Sequence, residues 1–410
     1  MRKLRSASVV AVTLALLAVS ACTTSDSSDD GATTDVESAT GTPTTSDETY
    51  RIGLALPFTG PSAAYGEEFK MAVEIGIEDV NEQFKDDGIS LELVTADTQA
   101  TAEGGVSAMN KLGAVDKVPA VITAWGAVVS AGSPVAEDLG LALLNAGAQS
   151  PALIGSSPNL VNALPMNDAQ LANYAEYLVD QKGYKKFATI YVDNETGQGT
   201  ADAFKAAVEA RGATVVAQES IRQDATDATT QVAKVKDSGV DFLYVQTLLV
   251  EGASTMKAVE QAKLDIPVGS YAGVGESKLI RAAGQEAMND LIYMSQIPED
   301  VDGVKALMGR IQDRAPKMVL QNPSYDAYFY ATAFLYAEAI KELRAQGAPV
   351  TGTNVLAIVN SSKDLTAPIV GPMDFTDKLT YHGPTIVRQI TNYEDDPLDD
   401  TTVDSVTASN

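Results

Sequence analysis

The chain has 410 residues, 45 % apolar and 20 % charged, with a formal net charge of −26 and one cysteine. So acidic a balance argues against a nucleic-acid partner, whose phosphates call for basic surface. A lone cysteine excludes an intramolecular disulfide and a Cys-based metal site.

The N-terminal segment sets the compartment. Arg2, Lys3 and Arg5 form a basic head, and residues 9–19 are apolar apart from Thr13. Ser20 and Ala21 then lead into Cys22. A charged head, a short apolar core and small residues at a cleavage site describe an export signal over residues 1–21. The apolar run is shorter than the roughly 20 residues of a good membrane span. Residues 22–49 are rich in Ser, Thr, Asp and Glu, with no Lys, Arg or aromatic before Tyr50. Such a segment buries too little apolar surface to offset its ordering entropy, and it predicts a flexible acidic tether spanning roughly 25–30 Å.

From Tyr50 onward, strand-like runs alternate with helix-like ones. Residues 51–57 (RIGLALP) read as a strand, and residues 66–81 place Phe69, Ala72, Val73, Gly76 and Val80 at helical spacing. Strands follow at 91–96, 119–123 and 141–145, with helices at 101–112 and 130–139 between them. The pattern restarts after Pro165. Helices are expected at 169–181, 201–211, 228–235 and 253–263, and strands at 187–192, 214–219, 241–247, 267–270 and 291–296. A long helix over 325–343 and a strand pair around 373–375 and 385–391 close the body. Regular alternation predicts an α/β fold with parallel sheets flanked by helices, in two lobes of similar architecture. The acidic tail, residues 393–410, is expected to fray. In open parallel sheets, ligands sit beyond the carboxyl ends of the strands, where helix N-termini point their free N–H groups.

Several blocks carry a resemblance. Residues 52–81 (IGLALPFTGPSAAYGEEFKMAVEIGIEDVN) resemble the opening of branched-chain amino-acid binding proteins of ABC importers, with a strand, a Pro-x-Thr-Gly turn, a Tyr-Gly pair and a helix ending near Asn. Blocks at 101–112, 121–151, 188–199, 224–245, 330–340 and 369–375 agree in order and spacing. Val19-Ser20-Ala21-Cys22 likewise resembles the bacterial lipobox, which implies lipidation at Cys22 and a membrane-anchored, extracytoplasmic protein. The resemblance implies the type I periplasmic binding protein fold: two Rossmann-like lobes over residues 50–392, joined by three hinge crossings. These fall near residues 164–168, 295–299 and 370–374. The first lobe then takes about 50–165 and 297–370, and the second about 168–295 and 374–392. The implied function is capture of a small solute for delivery to ABC permease subunits. The alternative is a sensor of the same fold that reports to a membrane receptor.

Carrying the family's ligand contacts over position by position exposes a departure. The carboxylate-binding Ser falls on Ala127 or Val128, with Ser130 as a substitute under a shifted alignment. The partnering Thr falls on Gln149, beside the backbone of Gly147. The acid that meets the ligand ammonium falls on Ala272, with Glu276 four residues further on, and a second-lobe Tyr falls on Thr196. An unpaired buried ammonium costs several kcal/mol, so an aromatic acid, an amide or another modified compound fits better than a free α-amino acid. Aromatic and amide groups remain on the pocket-facing loops. Tyr65, Trp125 and Tyr271 predict a stacking wall, with Gln198, Thr247 and Tyr325 as further ligand contacts. No enzyme is expected, because His382 is the single histidine and no Ser-His or Cys-His pair has a plausible partner cluster. Gly-rich residues 273–277 lack the Lys-Ser/Thr ending of a phosphate loop, and no cofactor or metal is called for.

One outcome tests the anchor directly. Metabolic labelling with a radiolabelled fatty acid is expected to mark the wild-type chain and to leave Cys22→Ser unlabelled.

Overall fold

The computed structural model describes residues 46–247, 249–272, 277–318, 320, 323–363, 365–391 and 401–406. The export signal, Cys22, most of the tether and Glu276 lie outside these residues.

Fourteen strands and twelve helices are described. In the first part of the chain, β1 (Glu48–Leu56), α1 (Ala63–Gln83), β2 (Ile89–Asp97), α2 (Ala102–Met109), β3 (Ala120–Thr123), α3 (Gly126–Asp138), β4 (Ala142–Asn145) and β5 (Leu160–Asn162) alternate. They build a five-stranded sheet of order β2-β1-β3-β4-β5, parallel throughout. The second part contributes α4 (Asn167–Glu176), β6 (Lys186–Val192), α5 (Glu195–Ala210), β7 (Thr214–Ile221), α6 (Thr229–Asp237), β8 (Phe242–Gln246), α7 (Leu249–Gln261), β9 (Val268–Ser270), α8 (Ser277–Ala283), α9 (Gln285–Met288) and β10 (Ile292–Ser295). The chain then returns to the first sheet as α10 (Val301–Arg314), α11 (Pro323–Ala345) and α12 (Gly352–Ser361), with the hairpin β11 (Leu365–Ala367) and β12 (Gly371–Met373). It ends with β13 (Thr385–Gln389) and β14 (Thr401–Val406), and the second sheet runs β14-β13-β10-β9-β8-β6-β7.

The central strands match the sequence expectation because they are buried on both faces. β3 (AVIT) and β4 (ALLN) are buried at every residue, as near-continuous apolar runs in parallel sheets are. Four differences have local causes. β1 begins at Glu48, inside the expected tether. The expected strand pair does not form: β12 pairs with β11, and β13 pairs antiparallel with β10. Part of the acidic tail, expected to fray, supplies β14, which pairs antiparallel with β13. Finally, Asn162 bridges Thr380, and the Tyr381 N–H donates to the Asn162 carbonyl at 2.9 Å. Residues 380–381 therefore still belong to the first sheet, and the third crossing lies at 381–385 rather than at 370–374.

One apolar cluster covers the first lobe and takes in α10, α11 and α12, whereas the second sheet has a separate cluster on each face. Helix α11 is pinned on α1. A Cβ at Gly76 would lie 2.7 Å from the Tyr330 carbonyl, and Phe69 stacks on Phe329 with centroids 4.4 Å apart. Arg310 of α10 donates to both Asp79 oxygens at 2.6 and 2.7 Å, and Tyr330 Oη donates to the same carboxylate at 2.9 Å.

The start of α1 is set by contact rather than by a cap, since Ser62 makes no side-chain capping bond. A Cβ at Gly66 would lie 1.9 Å from the Pro57 carbonyl oxygen, so only glycine lets the helix begin directly over the end of β1. Gly66→Ala is expected to lower stability by about 1–3 kcal/mol, the usual cost of overpacking. An unchanged urea midpoint would show that Pro57 moves freely.

Candidate functional site

A cavity of about 300 Å³ opens at the carboxyl edge of the first sheet, lined by Tyr65, Phe69, Ala124, Trp125, Gly147 and Tyr325. Each element delivers one part. Ala124 and Trp125 follow β3, Gly147 follows β4, and Tyr65 and Phe69 come from the first turns of α1. Tyr325 stands in the first turn of α11. Phe69 is the floor. Its ring centroid lies 6.1 Å from Tyr65, 6.2 Å from Trp125 and 6.1 Å from Tyr325, with interplanar angles of 47–49°. Tyr65 and Trp125 meet edge to face at 6.5 Å and 80°. The walls therefore lean around the floor as a cup.

Two backbone features hold the cup open. Trp125 has φ 63° and ψ 121°, a left-handed conformation that is an outlier for a bulky side chain. It precedes α3, and its side chain makes no capping bond to the first N–H groups of that helix. Gly147 is needed for close approach, because a Cβ there would meet the Ala124 Cβ at 2.7 Å and Phe329 at 3.3 Å. The loop after β4 is shaped by buried Asn145, whose Oδ1 accepts from Gly147 N at 3.2 Å and Ala148 N at 2.8 Å. Its Nδ2 donates to the Ala148 carbonyl at 2.6 Å and to Asn162 Oδ1 at 2.9 Å. These backbone N–H groups serve the loop.

The expected site residues divide. Tyr65, Trp125, Gly147 and Tyr325 line the cavity. Ala127 is exposed in the first turn of α3, beside the helix start, and Ser130 is exposed one turn on. Val128 is fully buried, with Gly105 close against its backbone. Gln149 works as a brace: its Nε2 donates to the Pro165 carbonyl at 2.7 Å, and its Oε1 accepts from Tyr325 Oη at 2.8 Å. It ties the cavity wall to the first crossing. Of the second-lobe candidates, Gln198, Thr247, Tyr271 and Ala272 do not line the cavity. Gln198 accepts from Tyr191 Oη at 2.9 Å and donates to Asp202 at 3.1 Å. Tyr271 Oη donates to the carbonyl of buried Thr247 at 2.8 Å. Ala272 is half-buried, and the Thr196 side chain lies outside the described residues. Sequence reasoning missed Phe69 as a site residue, because its helical spacing marked it as core. It is both core and floor.

The chain neighbours of two lining residues form a buried ionisable pair. Glu68 and Asp326, next in chain to Phe69 and Tyr325, are both fully buried. Burial, then the charge of Glu68 and its hydrogen bond, push the Asp326 carboxyl well above the ordinary value of 3.8. Among the described residues, no Asp, Glu, Lys or Arg lines the cavity itself. Among the described residues no group of three or more His, Cys, Asp or Glu could hold a metal ion, and no helix is long and apolar enough to cross a membrane.

A family model described as periplasmic binding protein matches residues 49–391. The chain belongs to the periplasmic binding protein family. Among curated relatives, the leucine-, isoleucine-, valine-, threonine- and alanine-binding protein of Pseudomonas aeruginosa is 26 % identical over 287 residues, 68 % of this chain and 76 % of that protein. The solved substrate-binding protein LivJ of Streptococcus pneumoniae, in complex with isoleucine, superposes with a TM-score of 0.68 at 18 % identity, covering 88 % of this chain and 99 % of that one. A solute-binding protein of R. palustris in complex with 4-hydroxybenzoate gives 0.68 at 20 % identity, over 88 % and 97 % of the two chains. The fold is that of type I periplasmic binding proteins, a family of extracytoplasmic solute-binding proteins that work with ABC transporter permeases. At the level of the family, this is a binding protein and not an enzyme.

The buried acid pair generates a pH prediction. A raised carboxyl pKa means the folded state keeps a proton that the unfolded chain releases near 3.8, so stability falls as pH rises from there toward the folded value. Asp326→Asn is expected to flatten that fall. Urea midpoints of wild type and variant from pH 5 to 8 check it, and parallel slopes would show that the pair does not titrate in folding.

Proposed function

We propose that this binding protein is the lipid-anchored substrate-binding component of an ABC importer. It captures a small solute of the branched-chain amino acid, amide or aromatic acid type between its two lobes and releases it unchanged. The observation that carries the reading is the cup of Tyr65, Phe69, Trp125 and Tyr325 at the carboxyl edge of the first sheet. Parallel α/β sheets bind ligands at that edge, and the described residues of the cup offer apolar surface with no nucleophile or general base among them.

The start of α3 supports an anionic or carbonyl end on the ligand. Helix N-termini favour negative charge through their unsatisfied N–H groups, and this one adjoins Trp125 without a side-chain cap. By contrast, Asn194 caps α5 in the second lobe by accepting from Gly197 N at 2.8 Å. A ligand lying with its polar end at α3 and its body in the cup would satisfy both. The second lobe then closes over it, which is how the family's two-lobe architecture encloses a guest. The likeness to proteins that hold isoleucine and 4-hydroxybenzoate supports a carboxylate-bearing ligand class.

A thermal-shift screen of the mature chain against branched-chain amino acids, amides and aromatic acids tests this reading. A ligand at 100 times its dissociation constant adds roughly 2.7 kcal/mol of stability and should raise the midpoint by several degrees. Trp125→Ala is expected to weaken the best ligand by roughly 10- to 100-fold, as loss of a buried aromatic anchor does. A panel without a single shift, or a ligand recovered chemically altered, counts against solute capture.

A further inference from the structure

The cup also says something about the cationic end of a ligand. A primary ammonium carries three N–H donors, and burying it calls for acceptors or a carboxylate. Among the described residues the cavity lining supplies no carboxylate. What the lining supplies is π surface from four rings. A cation positioned over aromatic faces within about 6 Å of their centroids is attracted by the ring quadrupoles. A quaternary ammonium has no N–H to satisfy, so it calls for no carboxylate or other acceptor.

The arrangement of the rings separates a rounded cation from a flat ring. A planar guest is held best between parallel faces, yet the one closely stacked pair at this site is Phe69 on Phe329 at 16°. That pairing lies under the floor, with Phe329 outside the lining. The cavity walls lean at 47–49° to the floor, and Tyr65 stands at 80° to Trp125. Inclined walls present π surface from several directions to a compact, roughly spherical group.

We infer that the cup of Tyr65, Phe69, Trp125 and Tyr325 is a quaternary-ammonium receptor, and that the solute is a betaine-type zwitterion with its carboxylate toward α3. The inference rests on the solute-capture reading and narrows it to one substrate class.

Trp125 is the single tryptophan of the chain, so its fluorescence reports this cavity alone. The mature protein is titrated with trimethylammonioacetate, its carbon isostere 3,3-dimethylbutanoate, glycine, leucine and 4-hydroxybenzoate. The expected result is a trimethylammonioacetate dissociation constant at least about tenfold below that of the isostere, with glycine weaker still. Tyr65→Leu should weaken the ammonium compound by roughly 3- to 30-fold and leave the isostere nearly unchanged. Equal or tighter binding of the isostere overturns the inference, as does preferential binding of leucine or 4-hydroxybenzoate, and either outcome leaves solute capture standing. No fluorescence or thermal response to any of the five compounds overturns both readings.

Discussion

The site depends on the seating of α11 across α1. Two helices 240 residues apart in the chain touch where Gly76 leaves no room for a side chain and Phe69 stacks on Phe329. That contact brings Tyr325 beside Phe69, closes the floor of the cavity and seals Glu68 against Asp326. The far end of α11 is held as well, since Arg344 donates to Tyr50 Oη, the Gly88 carbonyl and the Ser46 carbonyl. A helix fixed at both ends places its first turn within narrow limits. The first lobe is thus completed by chain that returns from the second, and the cavity exists only once that return is made.

Much of this was legible before any coordinates. β3, β4 and β8 announced themselves as unbroken apolar runs, and the Tyr65-Gly66 pair marked a helix start at the sheet edge. Other elements carried weaker signals. β5 has three residues, too few for a period to show. α10 and α12 were passed over, although Asp300 and Thr351 cap them by accepting from Gly303 and Asn354. Those caps were a readable signal. The strand β14 could not be read from composition, because its acidic, Thr-rich sequence pairs along an edge through backbone bonds that owe little to side-chain type. At the site, four residues that the sequence reading names as ligand contacts, Tyr65, Trp125, Gly147 and Tyr325, line one cavity, two of them from helix starts and two from loops. It could not show that the Gln149 amide is committed to Pro165 and Tyr325, since that depends on a contact across 176 residues.

Charge in this protein is arranged by depth. Ion pairs such as Asp79 with Arg310 and Glu78 with Arg314 sit partly exposed on the outer helices, where they fix α10 against α1. Screened pairs of this kind add modest stability. The two buried acids, Glu68 and Asp326, are sealed from solvent, and among the described residues the cavity lining carries no formal charge. A neutral lining in so acidic a body is a selective environment. It repels little, desolvates its guest, and leaves recognition to shape, π surface and the dipole of a helix start.

The backbone of Trp125 carries a last consequence. Holding a bulky residue at positive φ costs of order 1–3 kcal/mol, and a glycine there would relax the turn into α3. The fold alone would be better served by the smaller residue, while the indole is what gives the cavity its wall. Position 125 is therefore a place where thermodynamic comfort and the shape of the cavity pull in opposite directions, and the chain has kept the wall.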